Sequence, residues 1–196
     1  TMQGLGIKAR ASAHLALLVA ATSLCSADAM AAKMAGDPAV TCGDLIRPAD
    51  NVVRIDSATM VGPTPRTIAE KGPTPAARVT PANPQFCKVL GQIAPSDPRA
   101  PPIKFQVNLP IEWNGRSLQY GGGGFNGVLI TGLALPPAYP FGAPSPLARG
   151  FVTYGTDSGH ETKPGEPPQL FALNDEAFEN FAHRSYKRVR DAAVAL

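Results

Sequence analysis

Apolar and polar residues alternate in two stretches in the middle of the chain, 86–93 and 103–109. Such alternation is typical of half-buried antiparallel strands that carry polar side chains on one face. Two further segments, 116–120 and 150–157, also predict strands, and a short helix is expected near 145–149. These segments therefore predict a sheet that begins with antiparallel strands.

A long helix is predicted after Asn174, which is a suitable N-cap residue. Acidic residues occupy its first turns and basic residues follow, an order that complements the helix dipole. Because no Gly or Pro stop signal follows the helical pattern, we expect the chain to be a truncated domain. Apolar residues recur every three or four positions and predict one buried stripe: Phe178, Phe181, Ala182, Tyr186, Val189, Ala193 and Leu196.

The N-terminus has the features of a secretory signal. Lys8 and Arg10 precede the apolar run 15–24, and small-residue cleavage sites follow by residue 31. We therefore expect a secreted or periplasmic protein whose mature chain keeps two cysteines, Cys42 and Cys87. In an oxidising compartment two cysteines are expected to pair, the alternative being two buried free thiols. No metal site is predicted.

Composition is that of one globular domain. The chain has 196 residues, of which 44% are hydrophobic, and its mean hydropathy is -0.04. A net charge of +3 does not indicate a polyanion partner. The basic residues of 183–190 are predicted to form the solvated face of the last helix rather than a nucleic-acid site. Repeated prolines in 63–84 predict an extended surface crossing.

The segment QYGGGGFNG, residues 119–127, contains four consecutive glycines. Its Gly-x-Gly-x-x-Gly spacing matches a dinucleotide fingerprint, but prolines 136 and 137 leave little room for the required helix. The acidic residue expected about 20 positions on is also missing, since the first acid is Asp157. No Lys-Ser/Thr pair follows, as a phosphate-binding P-loop requires. Two interpretations remain: a glycine turn packed on a strand, or an oxyanion-hole loop of the kind found in α/β hydrolases.

Several short motifs follow one another in a specific order: FC at 86–87, GQIA at 91–94, WNGR at 113–116, GGGGFNG at 121–127, ARGF at 148–151, TDSGH at 156–160 and the helix 181–196. This order, which is more specific than any one motif, resembles the tannase/feruloyl esterase family, and the similarity extends over approximately residues 42–196. The resemblance implies a secreted serine esterase with an α/β-hydrolase core and a large lid domain. It also implies that Cys42 and Cys87 form a disulfide.

The resemblance also implies roles for the glycine loop. Gly124 would supply one oxyanion-hole N–H, and its glycine neighbours would let the loop approach the substrate. The family's nucleophilic serine, in a Cys-Ser-x-Gly-Gly motif, and its Asp and His would lie beyond residue 196, as would any calcium site in the lid. No cofactor is expected in this chain. The predicted substrate loop comprises Gly121, Gly122, Gly123, Phe125 and Asn126.

A compact triad of Asp157, Ser158 and His160 is not expected. A catalytic triad needs its hydrogen bonds in line, from separate elements that converge on one point. Three residues in a single turn point to different sides. We expect Asp157 and His160 to close the end of their strand.

The predicted fold class is α/β: the N-terminal portion of an α/β-hydrolase sheet, with antiparallel strands, then parallel strands with helices, truncated before the nucleophile elbow. The predicted organisation is a signal peptide at 1–31, an extended Pro-rich region at 32–84 and an incomplete catalytic domain at 85–196. The predicted function is that of a fragment, itself inactive, of a serine hydrolase of aromatic-acid esters. The expected partner is a small aromatic ester, with no nucleic acid and no membrane contact after signal cleavage.

Two other functions remain open at this stage. One is a non-catalytic exported module that binds phenolic compounds or glycans, and the other is a periplasmic nucleotide-dependent oxidoreductase. A Cys-Ser-x-Gly-Gly motif in the coding region beyond residue 196 would favour the esterase over the binding module. Retention on an immobilised dinucleotide would favour the oxidoreductase.

Overall fold

A computed structural model describes most of the chain after residue 40. The predicted signal peptide and part of the predicted Pro-rich region lie outside the described residues. The ranges described are 41–46, 52–68, 79–136, 139–140 and 142–196.

The central feature is a five-stranded mixed sheet in the order β1-β4-β5-β7-β6. The pairs β1–β4, β4–β5 and β5–β7 are antiparallel, and β7–β6 is parallel. Strands β2 and β3 form a separate two-stranded sheet. The strands are β1 (Val53–Val61), β2 (Thr67–Ile68), β3 (Val79–Thr80), β4 (Phe86–Ile93), β5 (Ile103–Pro110), β6 (Ser117–Gln119) and β7 (Val152–Thr156).

Strand β5 is buried on both faces, although half-burial was predicted for it. Its apolar face, which includes Phe105 and Val107, lies in the core. Its polar face is covered too, because the loop between β6 and β7 passes over it. There Asn108 is fully buried, and its side-chain amide donates to the backbone oxygen of Thr131 at 2.8 Å and to Oγ1 of Thr153 at 3.0 Å. The alternation correctly predicts the strand but not what covers its polar side.

The sheet begins before the boundary predicted at residue 85. Strand β1 pairs with β4 from Val53 to Val61, with one register shift between Ile55 and Ser57, so it belongs to the same sheet as the strands after that boundary. Cys42, which precedes β1, forms a disulfide with Cys87 of β4, with 5.6 Å between their Cα atoms. This confirms the predicted pairing and excludes two free thiols.

The predicted long helix begins after Asn174, whose Oδ1 accepts the N–H of Ala177 at 2.9 Å. It comprises α1 (Asp175–Glu179), a π-helical segment (Asn180–Arg184) and α2 (Ser185–Val194).

The π-helical segment changes which residues face the sheet. A π turn holds more residues than an α turn, so the positions that face the sheet are shifted on one side of the segment relative to the other. Phe178 is 51% exposed and Ala182 is exposed, contrary to the predicted stripe, whereas Val189 is fully buried as predicted. The buried positions are Ala177, Asn180, Ser185, Val189 and Ala192.

In the described part of the chain, no helix combines the length and the apolar character needed to cross a membrane.

Candidate functional site

The candidate site lies where the parallel strands β6 and β7 end. Parallel strands place their carboxyl ends at the same edge of a sheet. Gly121–Gly124, here called the glycine loop, follow closely after the end of β6 at Gln119. The turn 157–160, here called the aspartate turn, follows directly after the end of β7 at Thr156. The sheet topology thereby brings together two segments that are about 35 residues apart in sequence.

All four glycines of the loop are exposed, but for different structural reasons. At Gly122 an added β-carbon would overlap the side-chain amide of Asn126, so an internal contact requires glycine there. At Gly123 and Gly124 an added β-carbon would meet no atom within 4 Å. Gly124 also has φ of +58°, a left-handed conformation that glycine adopts without strain. The loop is therefore open to solvent over Gly123 and Gly124.

The backbone of the loop is folded by one hydrogen bond, from the N–H of Asn126 to the oxygen of Gly123 at 2.9 Å. Among the described residues, no acceptor is bonded to the N–H of Gly124. An exposed amide of this kind can donate to a ligand. Gly123 and Gly124 therefore do not fit the alternative interpretation, a glycine turn packed on a strand.

The residues that follow Gly124 are held by hydrogen bonds from the aspartate turn and from Thr162. The ring Nε2 of His160 lies 2.7 Å from the backbone oxygen of Phe125, and the side-chain amide of Asn126 donates to Oγ of Ser158 at 2.7 Å. The N–H of Thr162 donates to the oxygen of Gly127 at 2.9 Å. Three consecutive residues after the open glycines are thus each anchored.

The aspartate turn is itself buried and internally bonded. Oδ1 of Asp157 accepts the N–H of Lys104 at 3.0 Å and the N–H of Gly159 at 2.8 Å. Ser158 has φ of +66° and is 1% exposed. Its N–H donates to Oγ1 of Thr156, whose hydroxyl donates to the oxygen of Lys104 at 2.9 Å. The turn is therefore tied to β5 as well as to β7.

The side chains of Asp157, Ser158 and His160 do not form a triad, as expected. Asp157 bonds to backbone amides, Ser158 to the Asn126 amide, and His160 to the Phe125 carbonyl. Since a carbonyl oxygen only accepts, Nε2 of His160 carries a proton that is already committed to this bond. None of the three is placed to act as nucleophile or base.

Burial shifts two acid–base equilibria in this turn. It raises the pKa of Asp157 to about 7, outweighing the opposite effect of the two backbone hydrogen bonds. It lowers the pKa of His160, so the imidazole is neutral at neutral pH. His160 is therefore a neutral N–H donor to the glycine-loop side of the site.

An aromatic cluster adjoins the loop. Phe125 is 48% exposed, and its ring centroid lies 6.3 Å from those of both Phe171 and Phe181. The Phe171 ring also stacks on His160, with 3.8 Å between centroids. Phe125 therefore presents an apolar surface directly beside the open glycines.

The structure brings the predicted loop residues together but gives Asn126 an inward role. Its side chain points to Ser158 and over Gly122 rather than into solvent. The anchoring function of Ser158 and Thr162 was not predicted, since it depends on strand pairing over about 30 residues. Within the described ranges, no three His, Cys, Asp or Glu side chains converge as metal ligands would.

Sequence and structure comparisons place this chain in a known family. Residues 87–196 match the family described as tannase and feruloyl esterase. An uncharacterized esterase of Agrobacterium fabrum is 44% identical over 148 residues, which are 73% of this chain and 23% of that protein. The mono(2-hydroxyethyl) terephthalate hydrolase of Piscinibacter sakaiensis is 31% identical over 76% of this chain and 26% of its own length.

The chain thus spans about a quarter of the length of these relatives. A crystal structure of an esterase from Aspergillus oryzae superposes with a TM-score of 0.53 and 26% identity, covering 75% of this chain and 27% of that one. The mixed sheet is of the α/β-hydrolase type, as predicted. By its sequence match and its fold, the chain belongs to the tannase and feruloyl esterase family.

Proposed function

We propose that this chain is the N-terminal part of a secreted serine esterase that hydrolyses esters of aromatic acids through an acyl-enzyme. The family is one of ester hydrolases, and its relatives are named for feruloyl and terephthalate esters. The observation that carries the proposal is the exposed glycine loop at the carboxyl edge of β6 and β7.

In the proposed mechanism, Gly124 stabilises the transition state through its backbone. A serine hydroxyl gives its proton to a base as its oxygen attacks the ester carbonyl carbon, and negative charge develops on the carbonyl oxygen. When this charge returns to the carbonyl, the bond to the ester oxygen breaks and the alcohol leaves with a proton, so that an acyl-enzyme forms. The Gly124 N–H donates to this oxyanion, and a donor aimed at developing charge is worth about 3 kcal/mol of activation free energy. The space over Gly123 and Gly124 lets the acyl group approach the backbone.

The nucleophile, its base and its acid are proposed to lie beyond residue 196, together with the lid and any calcium site. Strand β6 is at the end of the strand order in the described part of the chain. Its outer edge is thus available for a further parallel strand, and this is where we place the strand that leads to the serine. Without these parts, the 196 residues alone are proposed to be inactive.

The aromatic ring of the substrate is proposed to lie near Phe125. This side chain is half exposed beside Gly124 and is supported from behind by Phe171 and Phe181. Offset or edge-to-face contacts between aromatic rings add about 0.5–1.5 kcal/mol to the burial of apolar area. The site therefore favours aromatic over aliphatic acyl groups.

The test is Gly124→Asn in the full-length gene product. Asparagine tolerates the left-handed backbone at φ of +58°, but its side chain occupies the open space where the acyl group would lie. We expect kcat/KM for an aryl ester to fall by about 100-fold or more, comparable to the loss of an oxyanion donor.

The matched control is Gly115→Asn. Gly115 also has a left-handed φ, of +80°, with open space around its β-carbon position, but it precedes the start of β6 at the opposite end of the strand. This variant should keep wild-type turnover. Full activity of the Gly124 variant, with the same unfolding temperature as the control, would remove Gly124 from the mechanism.

A further inference from the structure

The direction of the Gly124 N–H is set by the peptide group to which it belongs. In a trans peptide the C=O and N–H bonds point in opposite directions. The carbonyl of this peptide is that of Gly123, and it accepts the N–H of Asn126 at 2.9 Å. The Gly124 N–H therefore points away from Asn126, and whatever fixes Asn126 fixes the direction of this donor.

Asn126 is fixed from outside the loop. Its φ of +55° is left-handed, and its side-chain amide donates to Oγ of Ser158 at 2.7 Å and to the oxygen of Thr156 at 3.3 Å. The peptide just before it is held by the bond between the oxygen of Phe125 and Nε2 of His160. Ser158 and His160 are 1% and 2% exposed, so neither bond competes freely with water.

We propose that Ser158 and His160 are positioning residues that hold Asn126 and Phe125 so that the Gly124 N–H is aligned with the oxyanion before the substrate binds. This inference rests on the proposed function of Gly124. It assigns to the aspartate turn a role in the reaction that goes beyond closing the end of β7. Because a preorganised donor need not reorient during the reaction, its alignment affects the transition state more than substrate binding.

The experiment uses four variants of the full-length gene product. Ser158→Gly removes the hydroxyl and keeps a residue that accepts φ of +66°. His160→Leu removes the N–H donor to Phe125, and His160→Gln restores a donor. Gly124→Asn fills the open space beside the oxyanion donor and tests the proposed function separately. For each variant we would measure kcat, KM, the unfolding temperature and the inhibition constant of an aryl boronic acid, which forms a tetrahedral adduct with a catalytic serine.

We expect Ser158→Gly and His160→Leu to lower kcat by about 10- to 100-fold, the cost of a misplacement on the order of 1 Å. Ser158→Gly should change KM little, whereas His160→Leu also removes the ring that stacks on Phe171 and should raise KM as well. The boronic-acid inhibition constant should rise together with the loss in kcat/KM. His160→Gln should recover most of the activity. A merely structural role would reduce the amount of active enzyme and leave the inhibition constant unchanged.

Wild-type kcat and inhibition constants in Ser158→Gly and His160→Leu would overturn the inference, and so would a loss of kcat without a change in the inhibition constant. If His160→Leu does not fold, Ser158→Gly decides the question alone. The proposed function fails separately, if the wild-type protein hydrolyses no aryl ester or if Gly124→Asn retains full turnover. An inactive Gly124→Asn beside fully active Ser158 and His160 variants would overturn only the positioning role.

Discussion

At the scale of single residues, Asp157 is a carboxylic acid buried at the carboxyl end of β7. It is 1% exposed, and burial raises its pKa to about 7, against the pull of the Gly159 and Lys104 backbone hydrogen bonds. The nearby charges of Glu161 and Lys104 have smaller and opposite effects. A buried acid of this kind makes stability depend on pH.

The sign of this dependence follows from proton binding. In the unfolded chain the Asp157 carboxyl loses its proton near pH 4, whereas in the folded protein it keeps the proton to about pH 7. Between these values the folded state binds more protons, so its stability falls as pH rises and changes little above pH 7. A shift of this size corresponds to a few kcal/mol, on the order of 4 at most.

Asp157→Asn should remove this dependence, because the amide oxygen can still accept both backbone N–H groups but does not titrate. As pH rises from 4 to 7, we expect the unfolding temperature of the wild-type protein to fall relative to that of the variant. Thermal unfolding of both proteins over this range provides the measurement. Asp175→Asn, at an exposed position of α1, is the control and should keep the wild-type slope. Parallel curves for wild type and Asp157→Asn would contradict the assignment.

At the scale of elements, the start of α1 is fixed by side chains that also bind the loop between β4 and β5. Asn174 caps the helix through Ala177 and donates to Oδ2 of Asp97 at 2.9 Å. The carboxylate of Glu176 accepts the backbone N–H groups of Ser96 and Asp97. The helix is therefore positioned against the sheet at its first turn, close to the aromatic cluster.

Asn174→Ala should lower the free energy of unfolding by about 1 kcal/mol, because the first turn loses the acceptor for the Ala177 N–H. Asn174→Ser restores an acceptor oxygen and should recover about half of this loss or more. Denaturant unfolding followed by circular dichroism would measure both. Equal stability of the Ala and Ser variants would show that the cap contributes little.

Local patterns predict the elements but not their surroundings. The stretch 86–93 coincides with β4, and Asn174 is the N-cap, since alternation and capping are visible in a few neighbouring residues. The apolar stripe is only partly right, because the π-helical segment Asn180–Arg184 shifts its phase. The glycine loop is recognisable from its sequence, whereas its anchoring by Ser158 depends on the pairing of β6 with β7.

At the scale of the whole molecule, the disulfide joins the segment before β1 to β4, the neighbour of β1 in the sheet. Cys42 and Cys87 are 45 residues apart, and closing a loop of this length stabilises the fold by roughly 4 kcal/mol in the chain-entropy model. The segment between the two cysteines includes the edge strand β1, where no strand is predicted from the sequence.

The double variant Cys42→Ala/Cys87→Ala should therefore unfold with a free energy lower by roughly 4 kcal/mol, or somewhat less if its unfolded state retains structure. Chemical denaturation of the oxidised wild type and of the variant provides the comparison. Thiol titration of the denatured, unreduced protein should find neither Cys42 nor Cys87 free. Two free thiols, or equal stability of the two proteins, would contradict the structural role of the bond.

The same covalent link also determines what a protease can release. A single cut anywhere between Cys42 and Cys87 leaves both products attached through sulfur, so β1 stays beside β4 after the backbone is broken. Such a nicked molecule keeps its edge strand as long as the disulfide is not reduced. The bond thus protects the integrity of the sheet against hydrolysis of the chain itself.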